Sequence, residues 1–591
     1  MNGKMLGHRF VNWLGLDPGD LRVFLPATGA LFFIGASNVL FGNFAETAFL
    51  KRFGVAYLPT MILVNAMLTV FLMALVGRWL GRLSGETVLR RVLAFCAMSA
   101  VLIWLAIPLQ VSLLYPLVYL LKAQFELLLT FLFWNLANQI FSTRQSKRLF
   151  PLMVTGSLVG GISGGFATPV LVRLTSVDSL LWIYLGTIGL AFLLVGRAAR
   201  LAAENPVETR VEKLLPKSSF LASMRRAMPV LRASSLVRGL VLLTLIPNMI
   251  VPMLNYQVSF AIDMSHANEN AMVNFFGLYR GAQFSLALLV SLFAGRIYRK
   301  FGVTGGLMVH PFNYLLVFVA FMMQFDLLTA VYAGISTGVF RRALQTPARA
   351  ALIGLFPNEQ RVLLMPFLRG VVVRLGVLVG ATFVLVCQSG YFVVCRFPLH
   401  PQNLAPFGFA FTLIWLLVVW GMKKHYPELV LETLGWRGSA RGRLRLPDDL
   451  RTVLRNDITR GRVLLSRAAA VRERYSGAEA EELVACLTRK ARQVGRDVLA
   501  RLEKQDPSGR LAVICRAIEE GDARQHANAV EALEQLVPTS LAAGLARCLE
   551  GNLRGGRHLL GPVLEELAAD RDDEIRALAA RLRRRVEAEG P

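Results

Sequence analysis

The chain contains twelve apolar segments that are each long enough to cross a lipid bilayer. A membrane-spanning helix needs about 20 predominantly apolar residues, and segments of this length recur throughout residues 1–422. They run over 22–49, 55–79, 89–109, 111–140, 149–173, 178–197, 236–262, 270–296, 302–324, 326–355, 364–391 and 405–422. Lipid offers no hydrogen bonds to the backbone, so spanning segments must be helices or closed barrels. The sequence therefore predicts an all-α fold with twelve transmembrane helices.

Basic residues between these segments predict how the chain is oriented. They follow every second segment: Arg78 and Arg82 follow the second, Arg296 and Arg299 follow the eighth, and the stretch 198–235 follows the sixth. Cytoplasmic loops carry an excess of Lys and Arg. Both termini and the 198–235 loop are therefore predicted to be cytoplasmic, and we expect an integral protein of the bacterial inner membrane.

The membrane domain, 1–422, divides into two predicted halves of six helices, 22–197 and 236–422. A basic motif is repeated in the two halves: GRWLGRLSG follows the second segment at 77–85, and GRIYRKFG follows the eighth at 295–302. Parallel halves with a solute site between them, near the middle of the membrane, are the construction of major-facilitator transporters. We therefore expect a major-facilitator-like domain.

The remaining residues predict a soluble part. Residues 423–476 are rich in arginine and are interpreted as a basic juxtamembrane linker attracted to the anionic leaflet of the membrane. Residues 477–591 contain amphipathic helices separated by Asp, Gly and Pro, for example at 523–537 and 572–586. Their Ala/Leu faces are typical of HEAT-like repeats, which stack on their neighbours. Such a domain is expected either to bind a protein partner or to brace the cytoplasmic face.

Cationic side chains inside the predicted spans are the residues that indicate a function. Residues 1–422 hold 34 Lys and Arg against 13 Asp and Glu. A charge at the bilayer centre costs about 2.5–3.5 kcal/mol, so such residues face a bundle interior or a wet cavity. An interior with this excess of positive charge predicts that an anionic solute passes through it. The seven cations are Lys122, Arg280, Arg341, Arg342, Arg349, Arg369 and Arg374.

We predict substrate contacts from a subset of these cations and from two asparagines. Guanidinium groups form bidentate bonds to phosphate, and an asparagine amide is able to bind a base or a ribose, although asparagine also joins membrane helices. The predicted substrate-binding residues are Arg280, Arg342, Arg349, Arg374, Lys122, Asn38 and Asn248.

Glu126 is the predicted coupling residue. It follows Lys122 by four positions, a spacing that places both side chains on one helix face and allows an ion pair. A pair of this kind either lowers the cost of insertion or couples transport to protons when the substrate displaces Glu126 from Lys122. Glu46, near the end of the first predicted helix, is the other acid that is well placed to pair with the cations.

Several other classes of protein lack support in the sequence. The six cysteines show no CxxC or Cys/His pairing, which disfavours zinc and disulfide frameworks. A nucleophile–base set and a nucleotide loop are also missing, so we expect no enzyme activity, no cofactor and no nucleic-acid partner. The glycine-rich run at 156–165 lacks the Lys-Ser/Thr ending of a phosphate loop and is interpreted as a close helix contact.

Two stretches resemble the ATP/ADP translocase (nucleotide transporter) family of plastids and intracellular bacteria. The first has the family's residues at the family's spacing: Phe133, Trp134, Ala137, Asn138, Ile140, Lys147, Arg148, Pro151, Leu152 and Gly156. The second aligns without a gap, and its matching or substituted positions are Ala348, Arg349, Ala350, Ala351, Glu359, Arg361, Arg374, Leu375 and Gly376. The resemblance implies a twelve-helix transporter of nucleotides.

Departures from the family mark the chain as a divergent member. Arg349 stands at a family Lys that contacts nucleotide phosphates, and it keeps the positive charge. Ala350 stands at a family Glu, so a salt bridge at that position is lost. The first helix offers Asn38, Asn43 and Glu46 where the family carries basic residues.

These observations favour a secondary transporter that moves an anionic, phosphorylated solute by alternating access, with ATP or ADP as the favoured substrate and antiport as the expected mode. One alternative is a membrane-anchored interaction protein whose transporter core is relict and whose helical tail binds a partner. Another is a flippase for a lipid-linked anion.

Overall fold

The computed structural model describes residues 18–141, 143–204, 235–356, 364–365, 367–388, 400–436, 444, 446–475, 477–521, 523–551, 553 and 563–589. Within these ranges the regular elements are helices, with no strand, and the predicted all-α fold is confirmed. Parts of the sequence argument lie outside the described residues: the loop at 205–234, Glu359, Arg361 and the side chains of Lys147 and Arg148.

In the part of the membrane domain that the structure describes, we number the α-helices α1 to α12. The first half contains α1 (Pro18–Arg52), α2 (Leu58–Leu80), α3 (Gly85–Ala106), α4 (Leu114–Ile140), α5 (Thr143–Leu174) and α6 (Leu180–Glu204). The second half contains α7 (Ser235–Ser265), α8 (Glu269–Met323), α9 (Leu327–Phe340), α10 (Thr346–Gly354), α11 (Val373–Gln388) and α12 (Ala405–Lys424). Helix α8 has two membrane-length arms, Glu269–Tyr298 and Thr304–Met323. They meet at Gly302, whose φ of 73° favours glycine.

Eleven helices among the described residues are long and apolar enough to cross a membrane. The segment predicted over 326–355 is also helical, but a π-helical turn at Arg341–Gln345 separates α9 from α10. A second π-helical turn, Phe367–Val372, leads into α11. Turns of this kind appear mostly as single insertions, frequently at functional sites. Three of the seven cations in the predicted spans lie in these two turns: Arg341, Arg342 and Arg369.

Glycines let α5 approach two helices at once. Gly156, Gly160 and Gly164 face α1, and a Cβ at Gly160 would lie 2.0 Å from the carbonyl oxygen of Phe32. On a neighbouring face, Gly161 and Gly165 meet α8 of the other half. Small residues four apart allow such close backbone contact in membranes, so the predicted close packing at 156–165 is confirmed.

The second half repeats this arrangement. Helix α11 packs on α7 through Gly376 and Gly380, where a Cβ would lie 2.7 Å from the carbonyl oxygen of Leu245 and 2.1 Å from that of Met249. In each half the fifth spanning segment therefore packs on the first. The halves meet where α5 contacts α8 and where α2 contacts α11.

Gly165→Val is expected to destabilise the membrane domain. A Cβ at Gly165 would lie 2.5 Å from the backbone nitrogen of Gly281, and backbone has no rotamer with which to move aside. Overpacking of this kind costs about 1–3 kcal/mol. Thermal unfolding of the solubilised protein should show a lower midpoint for this variant. Gly186→Val on α6, where nothing lies within 4 Å, is the matched control; equal midpoints for the two variants would contradict the contact.

The chain divides into two compact units, the first comprising Met1–Gly354 and Asn358–Lys423, the second comprising Leu355–Pro357 and Lys424–Pro591. The second unit contains α13 (Tyr426–Thr433), α14 (Asp448–Arg474), α15 (Ala478–Glu503), α16 (Arg510–Glu519), α17 (Ala523–Leu536), α18 (Thr539–Glu550), α19 (Val563–Ala568) and α20 (Asp573–Glu589).

Helix α14 lies inside the stretch interpreted as a linker, 423–476, and packs against α15. It does so because Leu454, Ile458 and Leu465 form a buried apolar stripe at helical spacing. The HEAT-like organisation of residues 477–591 stays a prediction.

Candidate substrate site

A carboxylate inside the bundle holds cations from both halves. Glu46 on α1 accepts a hydrogen bond from Lys122 Nζ of α4 at Oε1, with a distance of 2.5 Å, and from Arg280 of α8 at Oε2. The three side chains are 22%, 15% and 14% exposed, respectively. The predicted ion pair between Lys122 and Glu126 is wrong: Glu126 is exposed, and Lys122 pairs instead with Glu46 of α1. We call Glu46, Lys122 and Arg280 the central triad.

The guanidinium of Arg280 is oriented by α1. Asn43 Oδ1 accepts from Arg280 Nη1 at 2.5 Å, while its Nδ2 donates to Thr168 Oγ1 of α5 at 2.8 Å. Gly42 leaves the necessary space, because a Cβ there would lie 2.9 Å from Arg280 Nη1. Arg280 therefore has two acceptors on one helix, Asn43 and Glu46, and its direction does not depend on either one alone.

Arg342 approaches the same face of α8 from the first π-helical turn. Its Nη1 donates to Gln283 Oε1 at 2.8 Å, and Gln283, three residues after Arg280, donates to the carbonyl oxygen of Gly334 at 2.7 Å. The guanidinium lies 4.5 Å from the centroid of the Phe284 ring. Within the described part of the chain no carboxylate oxygen lies within 4.0 Å of Arg342.

A second group of cations lies apart from the central triad. Arg349 is half-buried on α10, and Arg369 is exposed in the second π-helical turn. Arg349 is five residues from the end of α10, and Arg369 is two residues after the start of its turn. Arg374 is half-buried on α11, on the side away from Gly376 and α7. No hydrogen bond or ion pair between described residues joins these three to the triad.

The predicted asparagine contacts have different surroundings. Asn248 donates its amide to the carbonyl oxygen of Thr244 on its own helix at 2.6 Å, and its Cβ meets Gly376 of α11. This position favours a role in helix packing. Asn38 is half-buried on α1 and makes no side-chain hydrogen bond within the ranges that the structure describes.

Ion pairs also join the halves at the end of the bundle where α1 ends, which we call the distal end. Lys51 Nζ lies 2.7 Å from Asp263 Oδ1 at the end of α7. Arg52 Nη2 lies 2.7 Å from Glu269 Oε1 at the start of α8 and 2.9 Å from Asp178 Oδ1. Sequence reasoning missed these pairs because their members are far apart in the chain. The sequence contains one indication of them: Lys51 and Arg52 end one predicted helix, and single acids such as Asp263 and Glu269 lie at the ends of others.

The second unit contains a cavity of about 260 Å³. It lies between α15 and α16, and its lining includes Arg496, Glu503, Cys515 and Arg516. Burial raises the pKa of the Cys515 thiol to about 12, so the thiol is protonated at neutral pH and is a poor nucleophile. The described residues hold no group of three or more metal-ligating side chains.

Comparison with known proteins identifies a family that part of the chain resembles. Residues 96–356 match the family model described as TLC ATP/ADP transporter. The resemblance to the ATP/ADP translocase family is confirmed. The matched residues run from α3 to the end of α10 and include Lys122, Arg280, Arg342 and Arg349. Glu46 and Arg374 lie outside the match, so the acid of the central triad belongs to a part of the chain that the family model does not cover.

A solved structure has a similar fold. A D-xylose–proton symporter superposes with a TM-score of 0.50 at 12% identity, covering 68% of this chain and 97% of that one. The nucleoside transporter NupG gives a TM-score of 0.47 at 15% identity, covering 69% of this chain and 100% of that one. No curated protein matches the sequence. The chain is thus an integral membrane protein with the fold of a major-facilitator transporter.

Proposed function

We propose that the protein is a secondary transporter that exchanges nucleotide-type anions across the bacterial inner membrane. The observation that supports this best is the central triad, in which a lysine of the first half and an arginine of the second converge on one carboxylate. A substrate that binds there contacts both halves at once. Such a contact is what alternating access of two halves around a fixed site requires.

The chemistry of the cations favours phosphate. Arg280 and Arg342 supply planar forks suited to bidentate contacts, and Lys122 supplies a compact point charge. A nucleoside diphosphate or triphosphate carries enough negative charge to pair with all three. A neutral solute would leave Arg342 without a counter-charge at close range, at the cost that buried charges carry in a membrane.

We assign the second group of cations to an earlier step of binding. Arg349 and Arg369 lie near the helix ends opposite the distal end, which the positive-inside rule places on the cytoplasmic side. An anion entering from the cytoplasm would meet this pair before it reached the central triad. Arg374 is the next cation along α11. The predicted coupling role of Glu126 and the protein partner of residues 477–591 stay predictions.

The direct test is uptake of labelled ADP into proteoliposomes that contain the full chain and are preloaded with ATP. Uptake should be faster with internal nucleotide than without it. Arg349→Ala removes one charge-assisted contact, worth about 1.5–3 kcal/mol, so the apparent affinity for ADP should fall at least about tenfold. Arg349→Lys keeps the charge, and its apparent affinity for ADP should lie between those of the wild type and Arg349→Ala. A correctly folded wild type that takes up no ADP would contradict the proposed function.

A further inference from the structure

The position of Glu46 bears on how the empty carrier behaves. We propose that Glu46 is an internal counter-ion: it occupies the place of the substrate phosphate between Lys122 and Arg280, and this lets the unloaded carrier return across the membrane. Net transport would then occur beside exchange. The inference rests on the proposed function, because it assumes an anionic substrate that binds these two cations.

The carboxylate of Glu46 occupies a position that also suits a phosphate group. Glu46 gives one carboxylate oxygen to each half, Oε1 to Lys122 and Oε2 to Arg280. A phosphate group presents the same feature, two oxygens that accept from cations on opposite sides. The carboxylate and the phosphate therefore compete for one position, and binding of substrate must release Glu46 from both cations.

Glu46 also neutralises part of the positive charge of the empty site. Lys122 and Arg280 are 15% and 14% exposed, so without Glu46 they would form two uncompensated charges in an enclosed site. Unpaired charges buried in protein cost several kcal/mol each, and closing the empty site around them would be slow. With Glu46 in place the triad carries a single net positive charge. The empty carrier then avoids most of this cost when it changes conformation.

Asn43 separates this role from a purely structural one. It accepts from Arg280 independently of Glu46 and is itself held by Thr168. When Glu46 is released by substrate or neutralised by mutation, Arg280 keeps one acceptor on α1 and its orientation toward the site. Substrate binding and exchange therefore do not require the carboxylate, whereas return of the empty carrier does.

The test measures two modes of transport in the same preparation. Exchange is labelled ADP uptake into ATP-loaded vesicles; net uptake is the same measurement with nucleotide-free vesicles, with charge balanced by potassium and valinomycin. Wild type should show both modes. Glu46→Gln should lower the ratio of net uptake to exchange at least about tenfold, as expected for loss of about 1.4 kcal/mol or more. Glu46→Asp, which keeps the charge, should recover part of the ratio.

Glu86→Gln is the matched control, because Glu86 pairs with Arg90 on its own helix α3; its ratio should equal that of wild type. An unchanged ratio in Glu46→Gln, an equal loss of both modes, or a wild type that exchanges without net uptake would each overturn the inference.

A wild type that moves ADP in neither mode would instead overturn the proposed nucleotide substrate. The counter-ion role is then decided by binding of inorganic pyrophosphate to the solubilised full chain. Glu46→Gln should bind it about tenfold more tightly if the carboxylate competes for the same cations. Equal affinity in the two proteins would overturn the role.

Discussion

Arg280→Gln is expected to abolish nucleotide exchange. The guanidinium holds Glu46 and Asn43, lies 5.5 Å from the centroid of the Phe276 ring and supplies the second half's contribution to the central triad. Removing one partner of a buried ion pair costs about 3–5 kcal/mol, which corresponds to at least about a hundredfold loss in rate or affinity. Labelled ADP uptake into ATP-loaded proteoliposomes measures this directly.

Two further variants test whether the loss is specific to the guanidinium of Arg280. Arg280→Lys keeps the charge but loses the planar fork that reaches Asn43 and Glu46 together, so it should retain a fraction of the exchange rate. Arg296→Gln removes an exposed arginine from the same helix, where it lies against the ring of Phe293, and should exchange like wild type. An Arg280→Gln protein with more than half of wild-type exchange would show that the triad is not the substrate site.

Reversing the charge of Lys51 or Asp263 is expected to reduce exchange strongly, and reversing both is expected to restore much of it. The pair joins α1 of one half to α7 of the other at the distal end, and the side chains are 18% and 21% exposed. Lys51→Asp or Asp263→Lys would place like charges against each other and prevent the distal ends from closing. We expect at least a tenfold loss in each single variant, because like-charge contacts at an interface cost several kcal/mol.

The double variant Lys51→Asp/Asp263→Lys restores opposite charges, and the recovery measures the energy of the pair as in a double-mutant cycle. The measurement is ADP exchange, together with labelling of a cysteine placed at the distal end by a membrane-impermeant thiol reagent. Arg501→Asp breaks an exposed ion pair with Asp457 in the second unit, and such pairs are worth little; it is the control. A double variant no more active than the single ones would exclude a role in closing the distal end.

Local physical rules account for what was predicted correctly about the fold. Each spanning helix satisfies its own backbone hydrogen bonds, so length and hydropathy indicate where it lies, without knowledge of its neighbours. The glycine spacing at 156–165 likewise predicted close contact, since small residues four apart form a flat face. It did not reveal that α5 uses two such faces, one for α1 and one for α8.

The interruption at Arg341–Gln345 shows the limit of reading a helix by hydropathy. The apolar pattern over 326–355 predicts one continuous helix, and the chain is indeed helical there. A π-helical turn adds one residue to a turn without changing composition, so periodicity at this length does not detect it. Its consequence is functional, because it brings Arg342 to Gln283 and thus to the face of α8 that carries Arg280.

The all-α membrane class and the family resemblance could be predicted from the sequence. Both follow from composition, spacing and motif, which are local properties of the chain. The partners of the charges could not be predicted in this way, because they depend on tertiary packing. Lys122 pairs with Glu46 rather than with Glu126 four residues away, and Lys51 pairs with Asp263. A buried charge takes whichever opposite charge the packing of distant helices brings within reach, and neither spacing nor composition specifies that packing.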